Sequence, residues 1–157
     1  MKISTPKRIR HSYTQSLVAP PATVFPLLCP VRETEWVQGW DPELVLTTSG
    51  AVEPDCVFLT LAPPRKAIWV VTRHAPETFE LEMVKVTPEH TVGKLQIALS
   101  EDGTDGSLAE ITNVYTSLGP DGDAFLRKFT AEWYHTYMAR WEQALNHYLT
   151  TGKKLVV

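Results

Sequence analysis

The chain has 157 residues and a formal net charge of −3, and this length suits one domain with a substantial core. Its 15 lysines and arginines are scattered apart from a short basic stretch at the start, so the charge pattern gives no support to nucleic-acid binding. No apolar run reaches the roughly 18 residues of a membrane span, and no apolar segment of a secretory signal follows the basic start. Cys29 and Cys56 lack a neighbouring ligand cluster, so we expect free, buried thiols in a cytoplasmic protein.

The first elements are predicted to be one strand and two short helices. A strand over residues 9–18 meets Pro20-Pro21, and such a proline pair ends a paired strand. The same prolines suit the first turn of a helix, where a missing N–H costs nothing, which predicts a helix over 21–28. Pro30 ends this helix, and a second short helix is predicted over 31–37.

A turn rich in tryptophan follows the second short helix. Residues 36–42 contain Trp36, Gly39, Trp40 and Pro42, which combines turn chemistry with large apolar side chains. We predict either a lid that closes a pocket or a structural corner that anchors the second helix.

Six further strands are indicated by apolar runs between turn residues. They are predicted near 43–49, 56–62, 66–74, 78–87, 92–101 and 108–118. In the fourth of these runs, apolar residues alternate with glutamates, which predicts one buried and one solvated face. The alternating residues are Phe79, Leu81 and Met83 against Glu80 and Glu82. Seven strands without intervening helices predict one antiparallel sheet, strongly bent.

The last part of the chain predicts one long helix. It begins after Gly119-Pro120 and ends at Thr150 or Thr151, where Gly152 accepts the left-handed cap. Five aromatic residues recur at every fourth position of this helix, which predicts a continuous ridge buried against the sheet. The ridge consists of Phe125, Phe129, Trp133, Tyr137 and Trp141.

This element order resembles the helix-grip order of the START, Bet v 1 and polyketide-cyclase superfamily. The segment Leu17-Val-Ala-Pro-Pro-Ala-Thr-Val-Phe25-Pro-Leu-Leu28 looks like that superfamily's first strand and first helix. Trp36-Val-Gln-Gly-Trp40-Asp41 resembles the tryptophan-rich turn of bacterial members, and Trp69-Val-Val-Thr-Arg73-His-Ala-Pro76 resembles a central strand. The resemblance implies an α+β fold in which a seven-stranded curved antiparallel sheet wraps a long C-terminal helix.

The same resemblance covers nearly the whole chain. We therefore expect a single domain over residues 1–157, with 1–8 as a flexible N-terminal extension. It also implies an elongated cavity between the sheet and the long helix, with its entrance near the two short helices. It carries over no catalytic residue, because the superfamily has no universal one.

The cavity is predicted to take a hydrophobic small molecule on rings and apolar side chains. The predicted ligand-binding residues are Trp36, Trp40, Phe58, Trp69, Phe79, Met83, Phe129, Trp133 and Tyr137. The alternative for the helix residues is that they only fill the core. The face of Trp69 depends on the strand register, since a one-residue slip would reverse it.

Acid-base chemistry in the cavity would require inward polar side chains, and the residues considered for it are His74, Glu82 and Tyr115. Alternatively, the side chain of Glu82 lies on the solvated face of its strand. His135 and His147 lie too far apart on the last helix for a shared metal. No metal or nucleotide motif is present, so neither a metal nor another cofactor is expected.

Three functions are compatible with this sequence. The first is binding of a lipid, isoprenoid or aromatic polyketide, by a monomer or a homodimer without membrane insertion. The second is a cyclase or dehydratase that positions a reactive polyketide in the same cavity. The third is a protein-interaction module related to chaperone activators. An apolar lining would favour binding, inward acid-base groups would favour catalysis, and a filled cavity would leave the interaction module.

Overall fold

The computed structural model describes residues 1–157 and contains one seven-stranded sheet. The strands are β1 (Arg8–Leu17), β2 (Leu44–Leu46), β3 (Val57–Ala62), β4 (Arg65–Ala75), β5 (Glu80–Thr87), β6 (Thr91–Glu101) and β7 (Ser107–Ser117). Their order in the sheet is β1-β7-β6-β5-β4-β3-β2, and every neighbouring pair is antiparallel. The predicted architecture is confirmed: a seven-stranded curved antiparallel sheet, two short helices after the first strand and a long C-terminal helix.

The helices are α1 (Pro21–Val24), α2 (Pro120–Lys128) and α3 (Ala131–Thr151), with 3-10 turns at Phe25–Leu27 and Arg32–Glu35. The two short predicted helices are present but shorter than expected. Pro26 lies within the first 3-10 turn, and Pro30 lies between the two turns. Neither proline has the backbone N–H that a continuing α-helix needs, so α1 ends at Val24.

The long C-terminal helix does not run unbroken from Pro120, as predicted. It is interrupted at Phe129 and Thr130, between α2 and α3. Phe129 and Thr130 leave helical geometry, and Thr130 becomes the N-cap of α3 by accepting a hydrogen bond from the Trp133 N–H at 3.2 Å. His11 on β1 donates from Nε2 to the Phe129 carbonyl oxygen at 2.8 Å. These bonds satisfy backbone groups that the break would otherwise leave unpaired.

Two strand predictions also need correction. The first strand after the tryptophan turn, expected over 43–49, is reduced to Leu44–Leu46 at the sheet edge. Phe79 lies in the turn before β5 with a φ of 55°, so it does not take part in the alternation of that strand. Leu81 and Met83 do point inward, with exposed fractions of 3% and 4%.

The core lies between the inner face of the sheet and α3. Three residues of α3 are buried in it: Tyr134, Met138 and Leu145. The predicted aromatic ridge is therefore not the buried stripe of this helix. Trp133 and Tyr137 are 48% and 42% exposed, which leaves them on a neighbouring face.

Candidate ligand-binding site

A cavity of about 340 Å³ separates the sheet from the C-terminal helices. This volume lies at the lower end of the range typical of small-molecule sites. Of its 22 lining residues, 16 are hydrophobic. The lining consists of Glu33, Gly39, Trp40, Asp41, Phe58, Thr60, Leu61, Ala62, Trp69, Met83, Lys85, Leu95, Ile111, Asn113, Tyr115, Phe125, Phe129, Trp133, Tyr134, Tyr137, Met138 and Trp141.

The helical side of the cavity carries a run of four aromatic rings, each in contact with the next. The ring centroids of Phe125 and Phe129 are 5.5 Å apart, and those of Phe129 and Trp133 are 5.8 Å apart. Trp133 and Tyr137 stack at 5.1 Å with an interplanar angle of 11°. The four-residue spacing therefore produces continuous ring contacts across the helix break, and it presents flat apolar faces to the cavity.

A second aromatic group covers the opposite side. Phe58 on β3 and Trp69 on β4 stack at 5.3 Å with an interplanar angle of 11°. Trp40 meets the Phe58 ring edge-on at 6.1 Å, and its indole N–H donates to the Pro30 carbonyl oxygen at 2.8 Å. The Trp69 N–H donates to Thr60 Oγ1 at 2.9 Å. These hydrogen bonds fix the indole planes, so the walls are preformed.

Lys85 is the basic residue of the lining. Its Nζ lies 4.9 Å from the centroid of the Trp69 ring, a cation–π distance. Burial lowers the pKa of Lys85, because the charged form loses hydration that one ring replaces only in part. The cavity therefore contains an ammonium group without a carboxylate partner.

Glu33 lies in the lining of the same cavity and is 6% exposed. Burial raises the pKa of Glu33 from its ordinary 4.5 to about 8. No basic side chain forms an ion pair with it, and its neighbour Arg32 pairs with Glu35 at 3.0 Å. The carboxyl group is therefore largely protonated at neutral pH.

Three tyrosines add phenol groups to the lining. The Tyr134 hydroxyl lies 3.0 Å from both the Ile111 carbonyl oxygen and Asn113 Oδ1, and it donates to one of them at a time. Burial raises the pKa of Tyr115 to about 12, and burial followed by the charge of Glu33 raises the pKa of Tyr137. These phenols are neutral donors at physiological pH.

Seven of the nine residues predicted to bind ligand line this cavity: Trp40, Phe58, Trp69, Met83, Phe129, Trp133 and Tyr137. Trp36 and Phe79 do not. Trp36 is fully buried, its indole N–H donates to the Leu27 carbonyl oxygen at 3.0 Å, and its ring meets Trp141 at 5.3 Å. Trp36 is thus the structural corner, whereas Trp40 faces the cavity.

The three residues considered for acid-base chemistry are separated. Tyr115 lines the cavity. His74 stacks on Phe25 at 5.3 Å outside the lining, and burial lowers its pKa. Glu82 lies on the other face of the sheet and accepts hydrogen bonds from Thr72 Oγ1 at 2.8 Å and Gln96 Nε2 at 2.7 Å.

Sequence reasoning missed Glu33 and Lys85. For Lys85 a signal was present, because it follows Leu81 and Met83 at period two and so belongs to the inward face of β5. For Glu33 no such signal exists, since it lies in the polar segment Arg32–Glu35.

No group of three or more His, Cys, Asp or Glu side chains is placed to hold a metal ion. None of the helices is long and apolar enough to cross a membrane.

Several solved structures share this arrangement at low sequence identity. Truncated norcoclaurine synthase from Thalictrum flavum aligns with a TM-score of 0.70 at 12% identity, over 96% of this chain and 98% of that one. Ara h 8.0201 aligns with a TM-score of 0.63 at 13% identity, over 92% of this chain and 99% of that one. CalU16 from Micromonospora echinospora aligns with a TM-score of 0.55 at 16% identity, over 96% of this chain and 86% of that one. A second structure of norcoclaurine synthase, in complex with dopamine and hydroxybenzaldehyde, aligns with a TM-score of 0.67 at 11% identity. This alignment covers 94% of this chain and 90% of that one.

These likenesses show that the chain has the helix-grip fold. The predicted Bet v 1-like helix-grip fold is therefore confirmed. By sequence, neither a protein family nor a curated protein matches the chain.

Proposed function

We propose that this protein binds a flat, hydrophobic small molecule, such as an aromatic compound, in the cavity between the sheet and α3. The observation that carries the proposal is the stacked pair Trp133 and Tyr137. These rings are 48% and 42% exposed although they line a largely apolar cavity. Large aromatic faces left uncovered in this way favour association with another apolar surface.

The chemistry of the lining supports an aromatic ligand over a long aliphatic chain. Stacked ring pairs line the cavity from the sheet and from the helix: Phe58 with Trp69 on β3 and β4, and Trp133 with Tyr137 on α3. A planar ligand between them would bury apolar area worth about 25 cal/mol per Å². Norcoclaurine synthase, which shares the fold, was crystallised with two aromatic molecules, and this adds support.

The test is binding of a neutral fluorescent probe, N-phenyl-1-naphthylamine, measured by titration. Replacing Tyr137 by Leu removes one ring from the cavity wall and should weaken probe binding. Tyr13→Leu is the matched control, because Tyr13 lies outside the lining and packs on His135. Equal binding by the wild type and both variants would contradict this site, and no binding by the wild type would contradict the proposal.

Identification of a natural ligand needs a second experiment. Native mass spectrometry of freshly purified protein, followed by denaturing extraction, should reveal a co-purified aromatic compound. A co-purified fatty acid would instead favour a lipid carrier.

An acid-base enzyme of the cyclase or dehydratase type is the second proposed function. It is favoured by two buried ionisable groups in one lining, Glu33 with a raised pKa and Lys85 with a lowered pKa. Both shifts move the groups toward the neutral pH range in which proton transfer is efficient. Turnover of a polyketide-like substrate that is lost in both Glu33→Gln and Lys85→Met, with the fold retained, would support catalysis. The interaction module is less favoured, since the cavity is not filled.

A further inference from the structure

One carboxyl group of the cavity has no partner within the protein. Glu33 is 6% exposed and lines the cavity, yet no ion pair reaches it. Every fully buried side-chain nitrogen or oxygen in the protein has a hydrogen-bond partner. The unpaired oxygens of Glu33 are therefore not sealed in the core, and they remain accessible from the cavity.

The surroundings of Glu33 suit a positive charge. Tyr137 is near enough for the charge of Glu33 to raise its pKa, and Tyr137 stacks on Trp133 at 5.1 Å. Trp141 also belongs to the lining. Electron-rich ring faces beside a carboxylate are the combination that recognises organic ammonium groups.

Lys85 does not supply this positive charge. Its ammonium lies on the ring of Trp69, and no ion pair joins Lys85 to Glu33. Arg32, which precedes Glu33 in the sequence, is engaged with Glu35.

We propose that the ligand carries a protonated amine on its aromatic body and that the Glu33 carboxylate pairs with this amine. This inference rests on the proposed function of aromatic ligand binding. In the empty cavity the carboxyl group keeps its proton, because an isolated buried charge is costly. When the ammonium enters, the carboxyl proton leaves to solvent and a charge-assisted hydrogen bond forms between the two groups.

The test compares three probes that share one ring system: tryptamine, which is a cation, the neutral indole-3-ethanol, and the anionic indole-3-propionate. Affinities are measured by isothermal titration with the full chain. We expect the wild type to bind tryptamine about 10-fold or more tightly than indole-3-ethanol, as expected for a hydrogen bond to a charged group. Glu33→Gln should remove this preference, so that the variant binds tryptamine and indole-3-ethanol with similar affinity.

The matched control is Glu82→Gln, which removes one carboxylate on the other face of the sheet and should keep the preference for tryptamine. Equal affinities of the wild type for tryptamine and indole-3-ethanol would overturn the amine inference while leaving aromatic binding intact. Preference for indole-3-propionate would do the same and would point to Lys85. Failure of all three probes to bind would overturn both proposals for this ring system.

Discussion

Gly93 on β6 lies directly opposite Tyr115 on β7, and the tyrosine ring occupies the space that a side chain at Gly93 would need. A Cβ atom at Gly93 would lie 2.6 Å from Tyr115 Cε1. The Tyr115 ring is not free to move away, because Phe125 and Phe129 each contact it with centroids at 5.0 Å. The absence of a side chain at Gly93 thus leaves room for one phenol of the cavity wall.

Replacing Gly93 by Ala should therefore destabilise the protein by about 1–3 kcal/mol through overpacking. The free energy of unfolding is measured by urea denaturation. The double variant Gly93→Ala/Tyr115→Leu removes the clashing ring, so the penalty for alanine should shrink in that background. An equal penalty in both backgrounds would show that the ring is not the obstacle.

Replacing Glu33 by Gln should change how stability depends on pH. The pKa of Glu33 rises from 4.5 in its ordinary state to about 8 in the fold. Between these values the unfolded chain is ionised while the folded chain keeps the proton, so folding stability falls as pH increases from about 4.5 to about 8. The loss is at most about 5 kcal/mol.

The measurement for Glu33 is the difference in free energy of unfolding between Glu33→Gln and the wild type across this pH interval. The variant should gain relative stability steadily from pH 5 to pH 8 and level off above it. A difference that does not vary with pH would mean that the carboxyl group ionises normally.

Two tryptophans should differ sharply in their contribution to stability. Trp36 is fully buried and hydrogen-bonded to the Leu27 carbonyl group, so Trp36→Ala should cost about 3–5 kcal/mol. Trp133 is 48% exposed, and Trp133→Ala should cost less than about 2 kcal/mol. Thermal and urea unfolding of both variants decide this, and a comparable loss at Trp133 would place that ring in the core.

The cap at the helix break can be tested with Thr130. Its hydroxyl accepts a hydrogen bond from the Trp133 N–H at 3.2 Å, so Thr130→Ala should cost about 1 kcal/mol. Thr130→Ser keeps the oxygen and should retain the larger part of the stability. Urea unfolding compares the three proteins. If the serine variant is as unstable as the alanine variant, the loss comes from the methyl group rather than from the cap.

The architecture could be predicted because it depends on local patterns. The alternation at Leu81 and Met83, the prolines at 20 and 21, and the glycine at 152 each indicate a structure within a few residues of themselves. The helix break was missed although Thr130 is a good N-cap residue. The four-residue aromatic spacing on both sides concealed it, and the hydrogen bond from His11 to Phe129 depends on a contact 118 positions away in sequence.

The site was predictable only where residue type and face coincide. Aromatic residues such as Phe58 and Tyr137 face the cavity as expected. Phe79 does not, because its left-handed backbone places it in a turn. A buried glutamate within a polar turn has the same sequence pattern as a solvated one, so Glu33 could be located only from the three-dimensional structure.

Helix α3 has a buried face and, next to it, a partly exposed face. Tyr134, Met138 and Leu145 are buried, and the first two also line the cavity, whereas Trp133 and Tyr137 line it and remain about half exposed. Mutations at the second pair can reshape the cavity at little cost to folding. Changes at these two positions could therefore alter which ligand the cavity takes, in evolution or by design, while the buried residues of α3 preserve the fold.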